Sequence, residues 1–341
     1  MIVIEASNIN VGGSMNLLLD LANYCESTNR KVKIYVIYDI VYKLLSEKEF
    51  KNISVVKTNL WYTLFRYILP FRRNVLYFCS IPPLAYNRNS FLYFHSEYYA
   101  KPISSDTSNL STIEKAKRIL YYPVIKFGLK NCKKVYCQNE YIKSLLNTTY
   151  GISPEIKPFF PGVKKSTGNF NLKRTYDFIY PALTSKHKNH LRLLDAVLEL
   201  RSIRKFNIIL TIPDSSSDLI SKVQEINNLY PNTIFNWGIL DHSKIIQLLF
   251  QTRWLVFPSL MESLGLPLLE AVECGTKVVA SDLEYTRACI DNPVTFNPNS
   301  VNSIVRTLQK VLDGDFDDVV QSSLIKDSKE YIMRQFDFKK I

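Results

Sequence analysis

Short runs of β-branched and aromatic residues alternate from end to end with longer segments whose apolar side chains recur at helical spacing, and this alternation constrains the fold more than any other property of the sequence. Strands separated by crossover helices pair in parallel, so the pattern predicts an α/β protein. Strand candidates in the first half are residues 2–6, 32–37, 54–57, 75–79, 91–95, 134–138 and 156–159. A polar, lysine-bearing segment at 164–174 has linker composition. A second set follows, with strands at 177–182, 207–212, 233–237, 254–258 and 277–280 and helices at 190–201, 244–250, 267–274 and 301–312. The expected organisation is an N-terminal domain over 1–163, a linker over 164–175, a C-terminal domain over 176–320, and a C-terminal helix over 321–341 that packs back on the first domain.

At 341 residues the chain is long enough to bury two separate cores. Its 46% hydrophobic content argues against disorder, and no uncharged apolar stretch reaches the ~18 residues of a membrane span. The opening residues, Met1-Ile2-Val3-Ile4-Glu5, do not read as a signal peptide, and six cysteines without a C-x-x-C pair suggest neither a disulfide framework nor a zinc knuckle. These features point to the cytoplasm. The formal net charge of +12 is unevenly placed, because between Glu114 and Arg174 thirteen Lys and Arg stand against three Glu. Such a patch attracts phosphates of nucleic acid, of anionic lipid or of a phosphorylated substrate. No recognition helix or RNA-binding motif accompanies it, so nucleic acid is not expected as a partner.

Several local patterns are set aside on physical grounds. The D-x-D triplets at Asp313-Gly314-Asp315 and Asp315-Phe316-Asp317 lie in a polar loop and read as solvated acids, not as a metal site. His187 and His190 stand a turn apart but have no neighbouring carboxylate or third histidine to complete a metal site. Gly12-Gly13 is not G-x-G-x-x-G, and no acid ends the following strand to hold a ribose, which excludes a nicotinamide dehydrogenase. It nevertheless permits a tight turn at the start of a helix over 15–24, where unpaired N–H groups favour anions.

The most informative stretch runs from Phe257 to Ala271: a strand, a glycine-containing loop and a helix starting near Pro267. The N–H groups of Ser263, Leu264, Gly265 and Leu266 are placed to meet an anion or a hydroxyl, and Glu270 lies one turn further along. Taken singly, Glu262 reads as an acid near a helix start and Glu270 as an exposed helical residue. Together, and with the surrounding "FPSLMESLGLPLLEAVECGTKVVASDLEYTRACID", they resemble the E-x7-E signature of family-4 glycosyltransferases. Those are retaining enzymes of the GT-B fold, two facing Rossmann-like domains with a cleft between them.

The resemblance implies that Glu270 hydrogen-bonds the ribose of a nucleotide sugar, that Glu262 lies beside the transferred sugar, and that the loop amides hold sugar hydroxyls and diphosphate. It extends to "YPALTSKHKNH" at 180–190, the position of a diphosphate-binding loop, where Lys188 matches the family's lysine and Ala182 stands where many relatives carry arginine. Lys186 or His187 is a candidate to compensate. "VLYFCSIPPLAYNRNSFLYFHSEYY" resembles two consecutive N-domain strands and makes His95 the histidine that positions the donor sugar. Gln138, after the last N-domain strand, either touches substrate or serves the next helix's N-terminus. The end of the 233–237 strand, at Gly238 and Ile239, is expected to meet the base. In all, the resemblance covers residues 1 to about 310.

A hexosyltransferase of the surface-polysaccharide type (O-antigen, lipopolysaccharide or capsule) follows from this resemblance. Retention by front-face attack would have the acceptor hydroxyl give its proton to the departing diphosphate, stabilised by Lys188 and the Gly12 and Gly13 amides. No metal or other cofactor is required in that scheme, since the UDP- or GDP-linked donor is itself the substrate. The acceptor is expected to be a lipid-linked glycan, because the aromatic and arginine residues of 60–73 and the mixed lysines and aromatics of 117–130 suit the anionic inner face of the cytoplasmic membrane. A nucleotide-sugar epimerase and a catalytically silent nucleotide-sugar-binding protein are the alternatives.

Overall fold

A computed structural model describes residues 1–10, 12–69, 74–78, 80–87, 89–105, 110–160, 162–163 and 173–336. All but the last three residues of the expected 164–175 linker, and the expected strand end at Cys79, lie outside the described residues. The chain divides into one unit of Met1–Pro161 with Lys326–Ile341 and a second of Gly162–Ile325.

The first unit holds seven parallel strands: β1 (Ile2–Glu5), β2 (Val32–Val36), β3 (Ile53–Lys57), β4 (Val75–Tyr77), β5 (Ser90–Phe94), β6 (Lys134–Cys137) and β7 (Glu155–Ile156), in the order β3-β2-β1-β4-β5-β6-β7. β1 and β5 are buried along their whole length, as parallel strands covered on both faces must be. The helices are α1 (Gly13–Ser27), α2 (Asp39–Ser46), α3 (Leu60–Ile68), α4 (Glu97–Ala100), α5 (Thr112–Gly128) and α6 (Glu140–Tyr150). Right-handed crossovers send α1 and α2, which precede leftward steps in the strand order, to one face and α3 and α5, which precede rightward steps, to the other. Packing agrees: Tyr67 of α3, Ile125 of α5 and Leu146 of α6 share one buried cluster with Val3, Tyr77 and Leu92 of the sheet.

The second unit has a six-stranded parallel sheet made of β8 (Tyr176–Tyr180), β9 (Ile208–Leu210), β10 (Ile234–Asn236), β11 (Thr252–Phe257), β12 (Lys277–Ser281) and β14 (Val294–Phe296), and a short antiparallel pair made of β13 (Ile290–Asp291) and β15 (Ser322–Ser323). Its helices are α7 (His190–Ile203), α8 (Ser217–Leu229), α9 (His242–Phe250), α10 (Leu266–Glu273), α11 (Glu284–Cys289) and α12 (Val301–Asp313). The order β10-β9-β8-β11-β12-β14 is that of a Rossmann domain, and in the first unit β3-β2-β1-β4-β5-β6 repeats it. Both units are therefore Rossmann-like α/β domains.

The last helix, α13 (Lys329–Arg334), belongs to the first unit. Lys329 makes an ion pair with Asp20 of α1, Arg30 donates to the Met333 carbonyl at 3.1 Å, and Phe336 meets Phe91 of β5 edge-on at 4.7 Å. The helix expected over 321–341 is thus corrected to start at Lys329. The intervening segment is held extended because the Gln321 side-chain amide pairs with both backbone groups of Val278 on β12, at 2.6 and 2.8 Å. Two of the three acids of the D-x-D triplets meet cations, Asp313 with Arg204 at 2.5 Å and Asp317 with Lys277 at 3.9 Å.

Candidate active site

In a doubly wound sheet, ligands bind beyond the carboxyl ends of the strands where the strand order reverses. In the second unit that point lies between β8 and β11, which pair directly through Trp254 with Phe178 and Leu255 with Ile179. The loops leaving these two strands are the ones that carry the motif residues.

The β8 loop passes Pro181 and Ala182, makes a 3-10 turn at Lys186–Lys188 and reaches α7 through Asn189, which has a left-handed φ of 61°. Asparagine tolerates that conformation, and here its side-chain amide donates to the carbonyls of Pro258 (3.1 Å) and Pro298 (2.9 Å). The Leu260 amide donates to the His187 carbonyl at 2.7 Å, and the Tyr180 hydroxyl donates to the Lys188 carbonyl at 2.8 Å. Two loops far apart in sequence are thereby held as one surface.

On that surface the Lys188 ammonium forms an ion pair with the Glu262 carboxylate, the two side chains being 18% and 14% exposed. Lys188 also sits 5.6 Å from the centre of the Phe257 ring. The carboxylate and the aromatic face together hold the ammonium at a partly exposed position. Lys186 is exposed on the same turn, and the Ala182 amide donates to Thr211 at 3.1 Å, so no cation stands where relatives carry arginine. His187 is half-buried beside Ser185, at 3.3 Å. His190 is buried against Tyr180, with ring centres 4.9 Å apart, and its pKa is lowered to about 4 by burial and by the nearby Lys188 charge. It is packed as a neutral imidazole.

The β11 loop turns into α10 through Gly265, at φ 61° and ψ 57°, with Pro267 in the first helical turn. A Cβ at Gly265 would fall 2.9 Å from Leu268 Cδ1. Gly265→Ala is therefore expected to lower stability by about 1–3 kcal/mol, combining left-handed strain with that contact, as read by urea unfolding. Leu264 and Leu266 bury their side chains in the core, leaving their backbone as the part available to a ligand, while Ser263 is half-buried.

Glu270 is buried, not an exposed helical residue, and accepts a hydrogen bond from His242 Nε2 at 2.7 Å. The hydrogen bond to Glu270 raises the His242 pKa, which favours imidazolium. His242 opens α9, just past the Trp237-Gly238-Ile239 turn, so the Glu270 contact draws that turn to the same edge of the sheet. Trp237 and Ile239 are exposed there, and Lys244 lies 5.3 Å from the Trp237 ring. Sequence reading missed His242, whose one signal was its place right after an N-cap aspartate.

The remaining expected residues belong to the first unit. Gly12 caps α1 at φ 91° and Gly13 begins it, beyond the end of β1. His95 directly follows β5, not ending it as expected, with its ring tilted against Phe78 (5.3 Å), and its amide donates to the Ser80 hydroxyl at 2.9 Å. Burial lowers its imidazole to about 4, so it is neutral near pH 7. Gln138 is buried directly after β6, and the N-cap of α6 is Asn139, whose side chain accepts from Ile142 at 2.9 Å. Among the described residues, no group of three or more metal-ligating side chains is found, and no helix is long and apolar enough to cross a membrane.

Two Rossmann-like domains, one carrying a lysine and two glutamates at its switch point, define a GT-B type of fold. Residues 165–330 match the family model for glycosyl transferases group 1. It is similar to the serotype-specific mannosyltransferase WbdA of Escherichia coli, 33% identical over 94 residues that make up 27% of this chain and 12% of that relative. Over the whole chain it has the fold of Anabaena HepE, crystallised with UDP and glucose (TM-score 0.66, 12% identity, 98% of this chain and 94% of that one). The sucrose-phosphate synthase of Thermosynechococcus elongatus is similar to the same extent (TM-score 0.65, 15% identity, 98% and 94%).

Proposed function

We propose that this chain is a retaining glycosyltransferase that moves a hexose-type sugar from a nucleotide diphosphate sugar to a glycan acceptor in bacterial surface-polysaccharide synthesis, on the cytoplasmic side of the membrane. The observation that carries the reading is the Lys188–Glu262 ion pair at the switch point of a glycosyl transferases group 1 domain. A lysine so held supplies positive charge where a diphosphate leaves, and the amides entering α10 supply donors without reorganisation. Similarity to a mannosyltransferase, and a fold shared with a protein crystallised with UDP and glucose, support the donor class.

Departure of the nucleoside diphosphate breaks the bond from the anomeric carbon to the diphosphate oxygen. The acceptor oxygen bonds that carbon from the same face, and the acceptor proton passes to the departing phosphate oxygen. Glu270, with His242 behind it, would hold the ribose hydroxyls, and Gly238 and Ile239 would border the base. Nothing in this scheme calls on a metal ion. Glu270→Gln is expected to weaken donor binding by roughly 10–100-fold, the worth of a charge-assisted hydrogen bond, as measured by calorimetry against UDP- and GDP-sugars. Loss of binding without any turnover by the parent protein across that panel would instead support a silent nucleotide-sugar-binding protein, the reading that Ala182 favours.

A further inference from the structure

Two helices on one face of the first unit are inverted relative to an ordinary surface helix. α3 buries Thr63, Arg66 and Tyr67 and exposes Leu60, Trp61, Leu64, Phe65 and Ile68, with Trp61 80% exposed. Arg66 points inward, 3% exposed, to Glu5 at 2.8 Å, with its guanidinium 3.3 Å from the centre of the Tyr35 ring. α5 repeats the arrangement. It buries Arg118, which donates to the Lys101 carbonyl and the Ser105 hydroxyl, each at 2.8 Å, and exposes Ile119, Leu120 and Phe127.

Both helices end on the same loop, since the Leu84 amide donates to the Tyr67 carbonyl of α3 at 2.8 Å and Gly128 of α5 packs against Pro82. The exposed apolar residues thus belong to one helical layer. Cations border it on both sides. Lys117, Lys126 and Lys130 are exposed on and after α5, and at the first turn of α3 a hollow of about 550 Å³ is walled by Lys33, Tyr35, Lys57 and Tyr62.

We propose that this layer is a membrane-docking surface, in which α3 inserts Trp61, Leu64, Phe65 and Ile68 into the interfacial region of an anionic bilayer while the bordering lysines meet lipid phosphates. Charge decides the occupant. A second copy seated face to face would bring the same lysines together, whereas an anionic bilayer neutralises them. Burial of Arg66 and Arg118 fits the same end, because each removes from the outer face a guanidinium that would interrupt its apolar stripe.

The test is co-sedimentation of the full chain with phosphatidylcholine vesicles prepared with and without phosphatidylglycerol. Binding is expected only with the anionic lipid, together with a blue shift of Trp61 emission that disappears in Trp61→Phe. Trp61→Ser/Phe65→Ser alters two exposed side chains and should reduce binding by at least roughly tenfold with an unchanged melting temperature. Lys117→Glu/Lys126→Glu should reduce it by a similar factor and remove its salt dependence. Failure of the parent chain to bind anionic vesicles, or full binding by the Trp61/Phe65 variant, overturns the proposal. A concentration-dependent dimer dispersed by that variant also overturns it and assigns the face to a second copy. None of these readouts depends on sugar transfer.

Discussion

Lys188→Ala is expected to lower kcat/KM for sugar transfer by roughly 10²–10³, the cost of removing one preorganised charge from the site where negative charge develops. Among the described residues of this loop, Lys188 is the lysine held by a carboxylate. Ala182 occupies the position of the second cation, and Lys186 is exposed on the turn without an ion-pair partner among the described residues. Because Lys188 also neutralises Glu262, the single variant leaves a largely buried carboxylate alone, and part of the loss could be structural. Lys188→Ala/Glu262→Gln separates the two contributions. Restored melting temperature, with an activity loss well beyond that of Glu262→Gln alone, assigns the effect to the leaving group. Recovery of activity in the double variant would show that Lys188 matters only as the partner of Glu262.

The second large effect is loss of stability in mild acid. His190 and His95 both have pKa values lowered to about 4 by burial. In the unfolded chain they titrate near 6.5, so between the two values the unfolded state binds more protons than the folded one. Their contribution is thus complete above pH 6.5 and is lost as the pH falls toward 4, amounting to about 3 kcal/mol for each histidine. Urea unfolding at a series of pH values should show this slope. His190→Phe, which keeps an aromatic ring against Tyr180, should remove the share that belongs to the second unit, and an unchanged slope in that variant would refute the assignment.

The fold was legible because its signal is repetitive. Each strand with its following helix carries the same switch of period, so errors at the ends did not disturb the order; β5 runs over Ser90–Phe94 where 91–95 is expected. The short strand β14, the 13-residue helix α8 and the start of α13, where one glutamine outweighs helical spacing, were not read from the sequence. In the candidate site, Glu262, Glu270 and Lys188 stand out from local pattern. Their partners do not, since the Lys188–Glu262 and His242–Glu270 pairs join residues 74 and 28 positions apart. The 60–73 segment showed its aromatics and arginines, yet an arginine in an amphipathic helix reads as solvent-facing, and only Glu5 across the sheet reveals that Arg66 faces inward. Pro70, Phe71, Arg72 and Arg73 of that segment lie outside the described residues.

The return of α13 to the first unit has a consequence for synthesis. Phe91 sits in the middle of the first sheet, and its cover, Phe336, emerges from the ribosome only after the whole of Gly162–Ile325 has been made. At ordinary translation rates of about 5–20 residues per second, that delay is roughly 8–30 s. During it the domain begun first is still unfinished, with an aromatic patch of its sheet open to water, while the domain begun second is already complete in sequence. The N-terminal unit is therefore the last to close.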